Sequence, residues 1–218
     1  MNRTEAARRT DTSIIEPGLT EGEVVNFFHR ARKYPFAAIG VDLCYVPLAH
    51  RLLKDTETAV VAVVSYPLGA CSEEVSVACA EWAVARGAGE LDVGMNLGWL
   101  RSGQYRAIER FYRRIVDRCP GCIVKAVITS SIMTEEEIIS ACEAAQQGGV
   151  HFIKTNPGFG YVTAVDCVKL IKSRFGDSLK VMAAAGIRTA DQARAMFAAG
   201  ADRVATSTPF RVLAGFPE

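Results

Sequence analysis

Residues 151–160, HFIKTNPGFG, are a short apolar run that ends in a lysine and breaks into a glycine-bearing turn. Phe152 and Ile153 predict a strand, and Gly158 and Gly160 predict the loop beyond its carboxyl end. An ammonium group at the end of a buried strand is costly unless it is partnered or used. Held at the mouth of a parallel barrel, Lys154 supplies an amine able to condense with a carbonyl.

Outward from this segment, similar runs recur along the chain. The predicted strands are Thr12–Ile15, Phe36–Val41, Ala59–Ser65, Glu90–Met95, Ile123–Thr129, His151–Thr155, Leu179–Ala184 and Arg203–Thr206. Continuous apolar runs rather than strict alternation indicate strands covered on both faces, as parallel sheets require. Helix signatures lie between them. Thr20 with Glu23, Thr134 with Glu137 and Thr189 with Gln192 each fit a capping box, and Gly87, Gly148 and Gly200 supply the left-handed residue that stops a helix. Eight strands alternating with helices predict a single-domain α/β fold over residues 1–218, a (β/α)₈ TIM barrel. The competing doubly wound open sheet lacks a GxGxxG or P-loop signature here.

Half of the 218 residues are hydrophobic, enough for one large domain, and 25 basic against 24 acidic residues leave a charge of +1. No basic run marks a nucleic-acid partner, and no apolar stretch has membrane-spanning length. The start, MNRTEAARRTD, lacks an apolar signal core and reads as a frayed surface terminus rather than an organelle address. Seven scattered cysteines suit a reducing cytoplasm. Cys119 and Cys122 form a CxxC in a turn; without a second pair to complete a zinc site, two ordinary thiols weigh against redox or metal chemistry.

Barrel active sites gather at the carboxyl ends of the strands. Read there, strand four carries Asp92, strand five Lys125 and strand six Lys154, an amine–carboxylate set on three neighbouring strands. Asp92 either serves chemistry or caps a loop or pairs with Arg101, and a lone lysine at a strand end is more often a snorkelling side chain. Two lysines beside an acid favour chemistry. Gly158, Gly160, Gly186 and the run Thr206-Ser207-Thr208 follow strands six, seven and eight, where barrels place phosphate sites, and Pro209 suits the first position of a short helix. The alternative is that these glycines only make turns. Arg188 is either a charge partner for an anion or a solvent-facing side chain.

In order along nearly the whole chain, the segments resemble the deoxyribose-phosphate aldolases. DTSIIEP is similar to that family's DHTLLKP, YVPLAHRLL to its second-helix segment, SYPLGACSEEV to its G-F-P-L-G turn and ELDVGMN to its E-L-D-V-V strand. FIKTNPGF resembles its K-T-S-T-G-F, AAAGIRT its A-G-G-I-R-T and RVATST its R-I-G-T-S-S. The resemblance implies a class I aldolase on a TIM barrel, with no metal or other cofactor, that joins acetaldehyde reversibly to glyceraldehyde 3-phosphate. It implies Lys154 as the Schiff-base lysine, Asp92 as the proton-relay acid and Lys125 as a further active-site lysine. It also implies Gly158, Gly186, Ser207 and Thr208 around the substrate phosphate, beside which Arg188 is the candidate charge partner.

The chain departs from the family pattern near these positions. Met182 stands where the family has a second essential lysine, and Lys180 lies two residues earlier, about 6–7 Å down the strand. Asn156 and Pro157 replace Ser-Thr after the nucleophile, Ala185 and Ala205 replace glycines, and Thr129 stands where a glutamate is usual. Thr12 replaces histidine, and Gly40 and Asp42 replace cysteine and asparagine. A cation about 6 Å from Lys154, at an effective dielectric near ~20, disfavours its protonated form by about 3 kcal/mol. Without it, Lys125 or burial has to keep the Lys154 amine uncharged. Three readings therefore stand: an active aldolase of the family type, a Schiff-base aldolase recruited to another substrate, and a non-catalytic barrel that binds a sugar phosphate or a partner protein. A homodimer is the expectation from the frequency of that symmetry.

Overall fold

Leu91 and Val93 turn their side chains to the helices, while Glu90 and Asp92, one residue out of phase, turn theirs into the lumen. The same division repeats around a closed ring of parallel strands, β1 to β8, in a computed structural model that describes residues 1–218. The strands are β1 (Thr10–Ile14), β2 (Ala38–Val41), β3 (Ala59–Val64) and β4 (Glu90–Gly94), then β5 (Ile123–Val127), β6 (Phe152–Lys154), β7 (Lys180–Ala184) and β8 (Arg203–Thr206). The helices are α1 (Arg3–Arg8), α2 (Glu21–Ala31), α3 (Val46–Leu53), α4 (Glu73–Val84) and α5 (Leu97–Arg101). They continue with α6 (Tyr105–Arg118), α7 (Glu135–Gln147), α8 (Val165–Phe175), α9 (Ala190–Ala198) and α10 (Pro209–Ala214). Pairing of β1 with β8, Thr10 beside Val204 and Thr12 beside Thr206, closes the ring and rules out the open sheet.

All eight expected strands are present, and no end differs from its expected position by more than two residues. Ser65 cannot extend β3 because its backbone turns left-handed, φ 51°. Thr20, Thr134 and Thr189 each accept an N–H three residues on, and the side chains of Glu23, Glu137 and Gln192 accept the cap residue's own N–H. One expected helix stop is corrected. Gly148 keeps right-handed geometry, φ −69°, and Gly149 at φ +84° makes the turn. Gly148 is instead a packing glycine, because a methyl there would sit 2.6 Å from Tyr112 Cβ on α6.

The outward residues of the strands and the inner faces of the helices form one buried apolar cluster, with Leu91, Val124 and Ile153 against residues such as Tyr112, Ile115 and Ile171. The lumen differs from the branched apolar filling usual in such barrels. Its middle carries six charged side chains, which the register brings to adjacent levels: Asp92 beside Lys125, Lys154 beside Met182, and Met182 beside Arg203. Cys119 and Cys122 are buried free thiols between α6 and β5, and no group of three or more His, Cys, Asp or Glu side chains is placed to hold a metal ion.

Candidate active site

The Lys154 ammonium at the end of β6 lies 2.5 Å from Asp92 Oδ2 on β4. The other oxygen of that carboxylate accepts from Lys125 Nζ at 3.1 Å. Lys125, on the strand between them, is wholly enclosed, 0% exposed, and also meets Asp11 Oδ2 at 2.8 Å and Glu90 Oε2 at 2.7 Å. Arg203 Nη1 closes the lower end on Asp11 at 3.2 Å and on both Glu90 oxygens at 2.9 and 3.0 Å. Three carboxylates thus face three cations, and no charge in the lumen is left unmatched.

These contacts fix the charge of each group. Burial alone would raise the Asp92 carboxyl, but the Lys125 and Lys154 ammonium groups outweigh it and hold it down at about 2. For Lys125 burial pulls the other way, and Asp11, Asp92 and Glu90 outweigh it, so its ammonium persists well above the usual lysine range. Burial also works against the Lys154 ammonium, yet Asp92 and then Tyr66 outweigh it, and Lys154 titrates above 10.5. The expectation that Lys154 is uncharged at rest is therefore corrected: it is an ammonium ion paired with the Asp92 carboxylate. Lys125 does not hold it neutral, because three carboxylates absorb the Lys125 charge, and its enclosure keeps it from any ligand in the cavity.

Lys154, 6% exposed, reaches the wall of a cavity of about 440 Å³ at the carboxyl ends of the strands. Gly158, Gly186, Arg188 and Ser207 share that wall with Lys154, so the expected phosphate residues and the amine border one space. The Arg188 side chain enters no ion pair or hydrogen bond within the protein; only its backbone N–H is engaged, by Gln192 Oε1 at 2.8 Å. Thr208 is not on the wall, and its N–H donates to Thr206 Oγ1 at 3.0 Å. Asp92 and Lys125 are not on that wall; they lie beneath the floor, where Asp92 contacts both lysines.

Met182 is 0% exposed and stands directly beside Lys154, so a neutral thioether occupies the lateral position. Lys180 is exposed at the opposite mouth, its Nζ 5.5 Å from the Phe152 ring centroid, and does not replace the missing cation. Arg101 pairs with Glu137 at 2.9 Å, leaving Asp92 to the lysines.

Asn156 has a role that composition did not suggest. Fully buried, its amide donates to Ser130 Oγ at 2.8 Å and Thr163 Oγ1 at 2.9 Å, and its carbonyl accepts from Ser131 Oγ at 2.9 Å. This ties the loop after β6 to the loop after β5. Asp11, Glu90, Arg203 and Tyr66 also escaped the sequence reading. Glu90 was visible in principle, since it shares a strand face with Asp92 at a spacing of two.

No protein-family model matches the chain. In sequence it is similar to the deoxyribose-phosphate aldolase of Dictyoglomus turgidum, 36% identical over 216 residues that span 99% of each chain. Among solved structures it is similar to QR15, an aldolase, with a TM-score of 0.93 and 32% identity over 96% of this chain and 95% of that one. The tetrameric deoxyribose phosphate aldolase of Aeropyrum pernix shares the fold, with a TM-score of 0.88 at 24% identity over 97% of this chain and 91% of that one.

Proposed function

Because the chain belongs to the deoxyribose-phosphate aldolase family, and so to the lyases, we propose that it is a class I aldolase working through a Schiff base on Lys154. The observation that carries this reading is the 2.5 Å contact of Lys154 with Asp92 at the floor of an open cavity. Transfer of one proton from Lys154 to Asp92 yields a neutral amine and a carboxylic acid without changing the net charge of the lumen. The amine adds to the donor carbonyl, the carbinolamine loses its hydroxyl as water with the proton returned by Asp92, and an iminium ion remains. Loss of a proton from the adjacent carbon gives the enamine that attacks the acceptor aldehyde.

Acetaldehyde as donor and glyceraldehyde 3-phosphate as acceptor are the substrates of this reading, with 2-deoxyribose 5-phosphate as product. Gly158, Gly186, Ser207 and the unpaired Arg188 would surround the phosphate, with Thr208 bracing Thr206 behind them. Free thiols throughout support a reducing cytoplasm as the compartment, and a homodimer is the assembly of this reading. No helix is long and apolar enough to cross a membrane.

Borohydride reduction in the presence of acetaldehyde should leave a two-carbon adduct on Lys154, located by peptide mass; an unmodified Lys154 would remove the Schiff base from this reading. A second reading keeps that chemistry and changes the substrate. Met182 beside the nucleophile and Ala185 in the expected phosphate loop favour it. Full activity on 2-deoxyribose 5-phosphate would make it unnecessary.

A further inference from the structure

Tyr66 follows β3 in a turn held at several points. Gly69 N–H donates to Ser65 O at 2.7 Å and Cys71 N–H to Ser65 Oγ at 3.1 Å. The turn is pressed onto the end of β4, since a methyl on Gly69 would meet Met95 O at 1.9 Å. Tyr66 is therefore carried on a fixed support. Its ring faces two neighbours: the Lys154 Nζ lies 5.6 Å from its centroid, and the Phe159 ring packs edge-on at 6.0 Å. Tyr66 lines the cavity, and its hydroxyl donates to the Pro157 carbonyl oxygen in the loop after β6.

Asp92 serves Lys154 from below and does not reach the cavity wall. The Asn156 side chain is engaged in the protein on both its amide and its carbonyl. A carbonyl oxygen lying on the cavity side of Lys154 would thus have no donor from these two groups. Burial pushes the phenol above its ordinary value of 10, which keeps it a proton donor at neutral pH.

We propose that Tyr66 is a further catalytic residue, whose hydroxyl leaves the Pro157 carbonyl to hydrogen-bond the oxygen of the carbonyl that Lys154 attacks. The step balances. As the Lys154–carbon bond forms, the carbonyl π pair moves onto oxygen, which takes the phenol proton. The nitrogen, now carrying one proton too many, returns it to the phenolate, and a neutral carbinolamine results. Tyr66 then protonates the departing hydroxyl, and the proton held by Asp92 passes to the phenolate through the Lys154 nitrogen, leaving water, an iminium ion, a phenol and a carboxylate. This assignment rests on the Schiff-base reading of Lys154.

The experiment is the rate of borohydride-trapped adduct formation with acetaldehyde, in the natural protein and in Tyr66→Phe, which keeps the ring and its packing. The expected result is an adduct at Lys154 in both, formed about 100-fold more slowly in the variant. The variant's turnover number should fall to match, with KM and thermal midpoint nearly unchanged. A hydroxyl that only braces the Pro157 loop would instead lower the thermal midpoint and raise KM while leaving the trapping rate intact, and that result overturns the proposal. Equal trapping rates in the two proteins overturn it while the Schiff base stands. Absence of an adduct in the natural protein removes both. Should Tyr66→Phe not fold, Tyr66→Trp keeps an aromatic wall with a donor elsewhere on the ring, and natural trapping rates in that folded variant overturn the assignment.

Discussion

One Asp92 carboxylate serves two lysines, taking Lys154 Nζ on Oδ2 at 2.5 Å and Lys125 Nζ on Oδ1 at 3.1 Å. Asp92 is thus a counterion to both lysines and, in the proposed mechanism, the base for Lys154. Replacement by Asn preserves shape but removes the proton acceptor and leaves an excess cation in the lumen. Asp92→Asn should lower turnover at least about 100-fold, with a matching loss of adduct formation. Steady-state cleavage and trapping rates check this, and a variant that traps donor at the natural rate would place the base elsewhere.

Acid stability follows from the same pair. Asp92 titrates at about 2 in the folded chain against 3.8 when unfolded, so folding is favoured by its ionised form. The resulting contribution, about 2 kcal/mol, is complete above pH 3.8 and is lost as the pH falls through about 2. Asp11, whose buried carboxyl is raised, takes up its proton earlier. The Asp92 effect is thus read at the acid end of the window. Urea unfolding at steps from pH 5 to pH 2 should show a decline in the natural protein that is shallower in Asp92→Asn; parallel declines would contradict the depressed carboxyl.

Met182→Lys tests the lateral position. Met182 adjoins Lys154 on one side and Arg203 on the other, in a lumen whose three carboxylates are already matched. An added cation should lower stability by roughly 3–5 kcal/mol, because it is buried without a partner. Its repulsion of the Lys154 ammonium, about 3 kcal/mol at ~6 Å and a dielectric near ~20, should also favour the neutral amine and speed adduct formation. Denaturation midpoints and trapping rates measured together should move in opposite directions. An unchanged trapping rate would mean that transfer to Asp92 already supplies all the neutral amine the reaction uses.

The barrel was legible because its signals are local. Thr20 finds Glu23 three residues away, and Lys154 ends an apolar run whatever lies across the lumen. The ion-pair network was not, since its partners are set by closure of the ring: Lys125 meets Asp11 across 114 positions and Arg203 meets Glu90 across 113. The charge on Lys154 was misread for the same reason, being fixed by a contact with Asp92 that spans 62 positions. Tyr66 escaped notice because a lone aromatic beside a proline reads as a turn, and only the folded loop places its ring over Lys154. Gly148 and Gly149 were exchanged because two adjacent glycines offer no local sign of which one turns.

Ala185 holds a left-handed backbone, φ +82°, just before Gly186 at φ +80°, and both line the cavity. An alanine in that region is strained by about 1–2 kcal/mol. Replacement by glycine relieves the strain but raises the entropy of the unfolded chain, at a cost of about 0.4–1 kcal/mol. The two effects nearly offset, so Ala185→Gly should leave the thermal midpoint close to the natural one or slightly higher. Its functional consequence is not offset, because removing the methyl allows the backbone to approach an anion more closely. KM for 2-deoxyribose 5-phosphate should fall, with turnover and KM for unphosphorylated deoxyribose unchanged. Equal shifts for both sugars would mean that the loop shapes the cavity without contacting the phosphate.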